Sequence, residues 1–526
     1  DQHRGLVRCA HRPSWQDHRR PAAFGSVCGP MTPASPTRPD LRCVVIGAGM
    51  SGIVAAIELE RAGHRDVVIH EKGDRVGGTW RENTYPGIAC DVPSHFYSYS
   101  FAPNPEWSHR FAPGAEIQAY LEDVARRHGV TGRIRFGSEV VRCAFEDGRW
   151  RLALADGSGD EADVVIAATG VLHHPVIPAI EGLSTFAGAC FHSARWDHGV
   201  RLEGRRVGIV GTGSSAVQIV SALVDRVGEL VLFQRTPQWI APIENPPYGE
   251  EEKAEFRARP EAMQAIRAAV AQGFTEGFAN VLIDADAPAL HAIHAGCVAH
   301  LESKVKDPAL RERLRPAYRA TCKRLVLSAD FYDAIQRPNA RLVTEGIERV
   351  EPAGVRTRDG RLHALDVLVL ATGFHVDRFV RPMAVIGAGG ISLDEVWEDG
   401  PFAYLALAVP GFPNFFLLQG PNGPVGNFSL IDVAELQMRY VLQLLERIRA
   451  GVCDTVSVTR PAMARFDAER REAAKRTIWA SGCQSWYLDA QGLPTAWPWT
   501  YDRFREEMRA PRLADWEPGA RGGGER

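Results

Sequence analysis

Two short glycine runs supply the first residues able to do chemistry: Gly47, Gly49 and Gly52, then Gly211, Gly213 and Ala216. Glycines at this spacing let the chain turn tightly and bring backbone N–H groups against a pyrophosphate, whose negative charge the following helix N-terminus also favours. Such a run is weak evidence alone and needs a strand before it, a helix after it and a ribose-reading residue about 20 positions on. The first run meets these conditions, with Glu71 standing 24 positions after Gly47 at the end of the next strand. At the same offset after Gly211 stands Arg235, followed by Thr236. A cation in place of the carboxylate suits a 2′-phosphate, so the second loop, with Thr212, Ser214, Ser215 and Gln218 around it, is expected to take NADPH rather than NADH.

The elements that must position these loops follow the same plan twice. A β-branched strand over 42–46, a helix to about 61 and a strand over 67–70 form one unit; a strand over 206–210, a helix to about 223 and a strand over 230–234 form the other. Strands alternating with Ala-rich helices predict an α/β chain with two Rossmann-like dinucleotide-binding domains. Residues 250–320 have helical spacing and little strand signal, predicting a helical insert in the second domain. The strands at 164–168 and 367–370, ending in Thr169-Gly170 and Thr372-Gly373, are expected to close the first sheet on either side of the inserted domain. The expected layout is a disordered extension at 1–40, a first domain at 41–180, the NADPH domain at 181–350, and the remainder of the first domain at 351–526.

Two longer patterns narrow the reaction. Phe186, Gly188, His192, Trp196 and Asp197 fit FxGxxxHxxxW[PD], and Gly77, Gly78, Trp80, Tyr85, Pro86, Gly87 and Asp91 fit GGxWxxxxYPGxxxD. On these motifs the chain resembles the type I Baeyer-Villiger monooxygenases, the group that includes phenylacetone, cyclohexanone and hydroxyacetophenone monooxygenases, over about residues 41–505. The resemblance implies one FAD, reduced by NADPH, that reacts with O2 and holds a C4a-peroxide; attack on a ketone then gives an ester or lactone. That chemistry calls for a permanent cation beside a dry site, and arginine is the cation that cannot lose its proton. By resemblance Arg324 is that arginine, Asp91 its partner, and Lys323 the contact to the 2′-phosphate. Gly78, Thr79, Trp80, Tyr97 and Val140 are implied FAD contacts, and Trp486 is implied to meet the nicotinamide ribose. His192 and Trp196, in the linker, are expected to couple domain movement to cofactor position. Substrate walls are sought around 325–331 and 421–429.

Composition excludes several other classes. With 61 Lys and Arg against 64 Asp and Glu, there is no basic footprint for nucleic acid or an anionic membrane. The ten cysteines form no CxxC pair, which disfavours a disulfide reductase, and they are read as reduced thiols in a cytoplasmic protein. His291, His294, Cys297 and His300 recur every three residues but have no acidic partner, so they are read as packing residues, with no metal expected. The expected partners are a small ketone and O2, in a monomer or weak homo-oligomer. Oxygenation of sulfur in thioethers, or of nitrogen, remains the alternative activity, and a non-catalytic flavin-binding protein the alternative class.

Overall fold

The computed structural model describes residues 40–519 apart from 425 and 427. The extension expected to be disordered therefore lies outside the described residues. Two five-stranded parallel sheets organise the rest. In the first, Cys43–Ile46 is central, with Val67–His70 and then Ile134–Arg135 on one side, and Val164–Ala167 and then Phe415–Leu417 on the other. All of Cys43–Ile46 is buried, as a strand covered on both faces must be. Helix Met50–Arg61 follows the first glycine loop and packs against helix Leu430–Arg449.

The second sheet repeats this order. Arg206–Val210 is central, Glu229–Phe233 and Ala340–Val343 lie on one side, and Val367–Leu370 and Ala189–His192 on the other. Helix Ser214–Leu223 follows its glycine loop. Between Phe233 and Ala340 the chain forms five α-helices, Glu250–Ala258, Pro260–Gly277, Pro288–Lys304, Pro308–Leu314 and the short Phe331–Ala334. An antiparallel meander precedes the Ala-Thr-Gly strand of each sheet: Val140–Glu146, Arg149–Leu154 and Gly159–Ala162 in the first, and Ile347–Glu351, Gly354–Thr357 and Leu362–Ala364 in the second.

This topology corrects one expectation. Val164–Ala167 joins the first sheet, but Val367–Leu370 joins the second, so the two Thr-Gly strand ends do not close one sheet. The reason is local. A Cβ on Gly47 would come 2.6 Å from the Ala168 carbonyl oxygen, and one on Gly211 would come 2.3 Å from that of Ala371. Each glycine loop thus lies on its own Ala-Thr-Gly turn and needs its own strand to carry it. The boundary drawn at 350 also falls inside strand Ile347–Glu351, and the second sheet draws on the chain through Leu370.

Candidate active site

The two glycine loops form matching cradles. Gly47 and Gly211 have φ of 102° and 119°, a region that only glycine enters without strain. Gly49 and Gly213 cap helices whose first turns carry no acidic residue and receive no side-chain cap. Their leading N–H groups are therefore oriented as donors for a phosphate. A Cβ built on Gly213 would meet nothing within 4 Å, and one on Gly49 would meet only Gly78 backbone. These positions are kept small for a ligand's approach, whereas Gly52 is kept small by the fold: a Cβ there would lie 1.8 Å from the Gly47 carbonyl oxygen. The residues present thus fit a dinucleotide at each loop.

At the first cradle Glu71 is 4% exposed and accepts from Ala48 N–H at 2.8 Å and Gly73 N–H at 2.7 Å, with Arg81 at 2.8 Å. The ribose-reading carboxylate is thereby fixed to the loop it serves. Gly77 N–H donates to the Ala48 carbonyl at 3.0 Å, and Gly78, with φ 52°, faces Gly49. Thr79 is exposed beside them. Trp80 is buried, and its indole N–H donates to the Tyr97 hydroxyl at 3.2 Å, which donates in turn to Met50 Sδ at 3.2 Å. Val140 is buried at the start of its strand, two residues past Ser138, whose N–H reaches the Glu71 carbonyl.

At the second cradle Thr212 donates to the Thr236 carbonyl at 2.7 Å, Ser214 opens the helix and Ala216 is fully buried. Arg235 is exposed at the strand end. Lys323 is half-buried, with its ammonium 4.9 Å from the centre of the Tyr318 ring. Burial and then the nearby Arg235 charge hold Lys323 below the usual lysine range. Two cations that repel each other in this way are brought to the ribose-reading end of the NADPH loop.

The first domain reaches into this cradle through Tyr85. Its hydroxyl donates to Gln218 Oε1 at 2.9 Å and accepts from Ser215 at 3.1 Å, and Gln218 also donates to the Ala89 carbonyl at 3.1 Å. Gly87, with φ 83°, lies so close that a Cβ would be 2.6 Å from the Gln218 carbonyl oxygen. Four residues on, Asp91 Oδ2 accepts from Arg324. Arg324 also donates to the Gly426 carbonyl, and the Tyr487 hydroxyl lies beside that glycine, 2.2 Å from where a Cβ would stand. The Arg324 and Asp91 side chains remain 29% and 31% exposed, so the ion pair is partly open to a small molecule. Burial disfavours the guanidinium charge, but Asp91 and then Tyr487 outweigh that and hold Arg324 further above its ordinary pKa.

Three features of this centre were not read from the sequence. Tyr487 is buried; its neighbour Trp486, which was singled out, is 37% exposed and packs on it at a tilt, with ring centres 4.0 Å apart. Thr321 adopts φ 72°, an uncommon conformation for a β-branched residue, immediately before the Cys322-Lys323-Arg324 run. Cys322 and Cys483 form a disulfide, which corrects the reading of all the cysteines as reduced thiols. The two lie 161 positions apart, and spacing carries no signal for such a pair. Cys9 and Cys28 lie outside the described residues.

The linker pattern runs along an edge strand. A Cβ on Gly188 would sit 2.3 Å from the Asp366 carbonyl oxygen, with the Phe186 ring also within reach. His192 follows at the strand end; its Nδ1 accepts from Ala194 N–H at 3.1 Å and burial lowers its pKa to about 4. Trp196 packs edge-on against Phe191, and Asp197 is exposed, accepting from Gly199 N–H. Of the histidine run, His294 accepts from Ala320 N–H and His300 packs on Tyr332. Among the described residues no group of His, Cys, Asp and Glu gathers as a metal site, and no helix is long and apolar enough to cross a membrane.

Residues 44–272 match the pyridine nucleotide-disulphide oxidoreductase family. An uncharacterised monooxygenase of Mycobacterium tuberculosis is 48% identical over 88% of this chain and 92% of its own length. A Baeyer-Villiger monooxygenase of Streptomyces coelicolor is 42% identical over 91% of this chain and 92% of its own. Among solved structures, the monooxygenase OTEMO in complex with FAD and NADP superposes with a TM-score of 0.83 at 28% identity, covering 91% of this chain and all of that one. With two nucleotide cradles in one chain, and relatives this similar over nearly their full length, the chain belongs to the Baeyer-Villiger family of FAD- and NADPH-dependent monooxygenases.

Proposed function

We propose that oxygen insertion beside the carbonyl of a small ketone, giving an ester or lactone, takes place beside the Arg324–Asp91 ion pair. The observation that carries this reading is the ion pair itself: a permanent, partly exposed cation next in the chain to Lys323, with its partner supplied by the motif that ends at Asp91. When bound, FAD supplies the redox chemistry, accepting a hydride from NADPH and passing electrons to O2.

The chain's own residues do the rest. Arg324 carries five N–H donors and no acceptor, so after Asp91, Gly426 and Tyr487 are served it can still donate to an oxyanion that develops on the ketone. Its charge does not depend on pH, so the donor is present throughout turnover. Asp91 orients the guanidinium by accepting from one terminal nitrogen. Gly47, Gly49 and Glu71 hold the flavin nucleotide, and Gly211, Gly213 and Ser214 hold the pyrophosphate of NADPH. Arg235 and Lys323 bind its 2′-phosphate, where an anion relieves their mutual repulsion. Trp486 presents an exposed ring edge for the nicotinamide ribose. A cytoplasmic location is proposed because NADPH must be supplied continuously; the Cys322–Cys483 bridge is the feature that compartment favours least.

The test is NADPH-dependent turnover in air across linear, cyclic and aryl ketones and thioethers, with products identified by gas chromatography. Ester or lactone formation supports the proposal. Sulfoxide as the sole oxygenated product, or hydrogen peroxide alone with every substrate, rejects it.

A further inference from the structure

We infer that Tyr487 is a positioning residue for Arg324, its hydroxyl oxygen acting as the third fixed partner that sets the plane of the guanidinium. This deepens the reading of Arg324 given above and rests on it. Three partners come from three remote parts of the chain: the carboxylate of Asp91, the carbonyl of Gly426 and the phenol of Tyr487. A guanidinium held at two points can still swing about the line joining them. A third contact off that line removes the swing.

The packing around Tyr487 does not require its hydroxyl. The ring packs at a tilt on Trp486 at 4.0 Å and on Trp479 at 5.2 Å, within an apolar group that includes Val281, Leu290, Ile478 and Cys483. Phenylalanine would fill that space equally well. A buried phenol costs stability unless its oxygen is engaged, and this hydroxyl lies against Gly426, whose carbonyl accepts from Arg324, which makes the guanidinium its nearest charged donor. Arginine has no acceptor, so the guanidinium donates and the phenol oxygen accepts. A neutral oxygen in this position also suits the chemistry: a second carboxylate would fix the arginine too, but would cancel the charge that the reaction uses.

Gly426 gives independent support. Its φ is 94°, and a Cβ there would lie 2.2 Å from the Tyr487 hydroxyl oxygen. The chain thus keeps a glycine where the phenol passes on its way to Arg324. The segment that carries Tyr487 is itself tied down. Cys483 is bonded to Cys322, two residues before Arg324, and both the N–H and the hydroxyl of Thr495 donate to the Tyr487 carbonyl, at 2.8 and 3.1 Å.

The experiment compares wild type with Tyr487→Phe, which removes one oxygen and keeps the ring. The first readout needs no turnover: modification of Arg324 by phenylglyoxal, followed by peptide mapping, with Arg235 as internal reference. Loss of the third contact should speed modification of Arg324 about threefold or more while Arg235 is unchanged. The second readout is ester formed per NADPH consumed, which should fall about tenfold, because a misoriented catalytic group loses rate steeply with small displacements. The KM for NADPH should stay within about twofold, since no nucleotide contact is touched. Gly426→Ala, which forces the phenol aside, should copy the faster modification. Unchanged modification of Arg324 in Tyr487→Phe overturns the inference, as does an unchanged ester yield per NADPH. If wild type forms no ester from any ketone, the functional proposal has failed, and the modification rate still decides the role of Tyr487.

Discussion

Arg235→Ala and Lys323→Ala probe the part of the site where the structure sets the magnitude most directly. Hydrogen bonds to charged groups contribute about 1.5–3 kcal/mol when sheltered and about 1 kcal/mol or less when exposed. Arg235 is exposed and Lys323 half-buried, so about 1 and about 2 kcal/mol are assigned to them. Wild type should then prefer NADPH to NADH by at least about tenfold and by up to about a hundredfold. Arg235→Ala should lower that ratio about fivefold, and Lys323→Ala about tenfold to thirtyfold. A pH effect follows from the same pair. Arg235 helps hold Lys323 below the usual lysine range, so wild type loses the Lys323 charge at a lower pH than an ordinary lysine would. In Arg235→Ala that cause is gone, the Lys323 pKa rises, and the alkaline fall in kcat/KM for NADPH should move to higher pH. The assay is anaerobic stopped-flow reduction of the flavin by each nucleotide across pH. Equal kcat/KM for NADPH and NADH in wild type, or an alkaline limb that stays fixed or moves down in Arg235→Ala, would refute the assignment.

Arg324→Ala should still be reduced by NADPH yet form ester at least about a hundredfold more slowly, with reducing equivalents recovered as hydrogen peroxide. Asp91→Ala should show a milder form of the same defect, and normal ester yield in Arg324→Ala would return that residue to a structural role. The two glycines of the second loop should separate folding from binding. Gly211→Ala, at φ 119° and against the Ala371 carbonyl, should lower Tm sharply, whereas Gly213→Ala, with open space and φ −74°, should keep the wild-type Tm and lose NADPH affinity. Calorimetry and nucleotide titration decide, and equal Tm values for the two variants would count against the cradle geometry. Reduction of Cys322–Cys483, or Cys322→Ser, should destabilise the chain by about 2–4 kcal/mol, since a loop this long constrains the unfolded state strongly. A Tm unchanged by reductant would show that the bridge contributes nothing.

What could be read from the sequence was whatever a short stretch of chain determines by itself. Both strand–loop–helix units stand where the glycine spacing put them, because turn, cap and ribose reader all lie within one unit. Asp91 and Arg324 meet although 233 positions separate them, and only the resemblance to a family made that pairing legible. The assignment of Val367–Leu370 failed because a fully buried parallel strand looks the same in either sheet, and its partner is chosen by long-range packing. Tyr487, Gly426 and the Cys322–Cys483 bridge escaped notice for the same reason. Nothing near them in the chain records which distant group they touch.

The shared strand order of the two sheets bears on how such a chain could have arisen. In each core a glycine loop and its helix lead to a ribose-reading strand, then to an outer strand, a three-stranded meander and an Ala-Thr-Gly turn that returns beneath the loop. This is the pattern expected of one ancestral unit copied and fused in tandem. Besides the outermost strand, which follows the first core as Phe415–Leu417 but precedes the second as Ala189–His192, the copies differ most in the stretch between ribose-reading strand and meander. In the first copy that stretch carries Tyr85, Gly87 and Asp91; in the second it carries the five helices, Lys323 and Arg324. The two halves of the reactive ion pair therefore lie in equivalent stretches, one in each core. Divergence could lengthen and re-specialise those stretches while the cradles, held by contacts that tolerate no Cβ, stayed as they were.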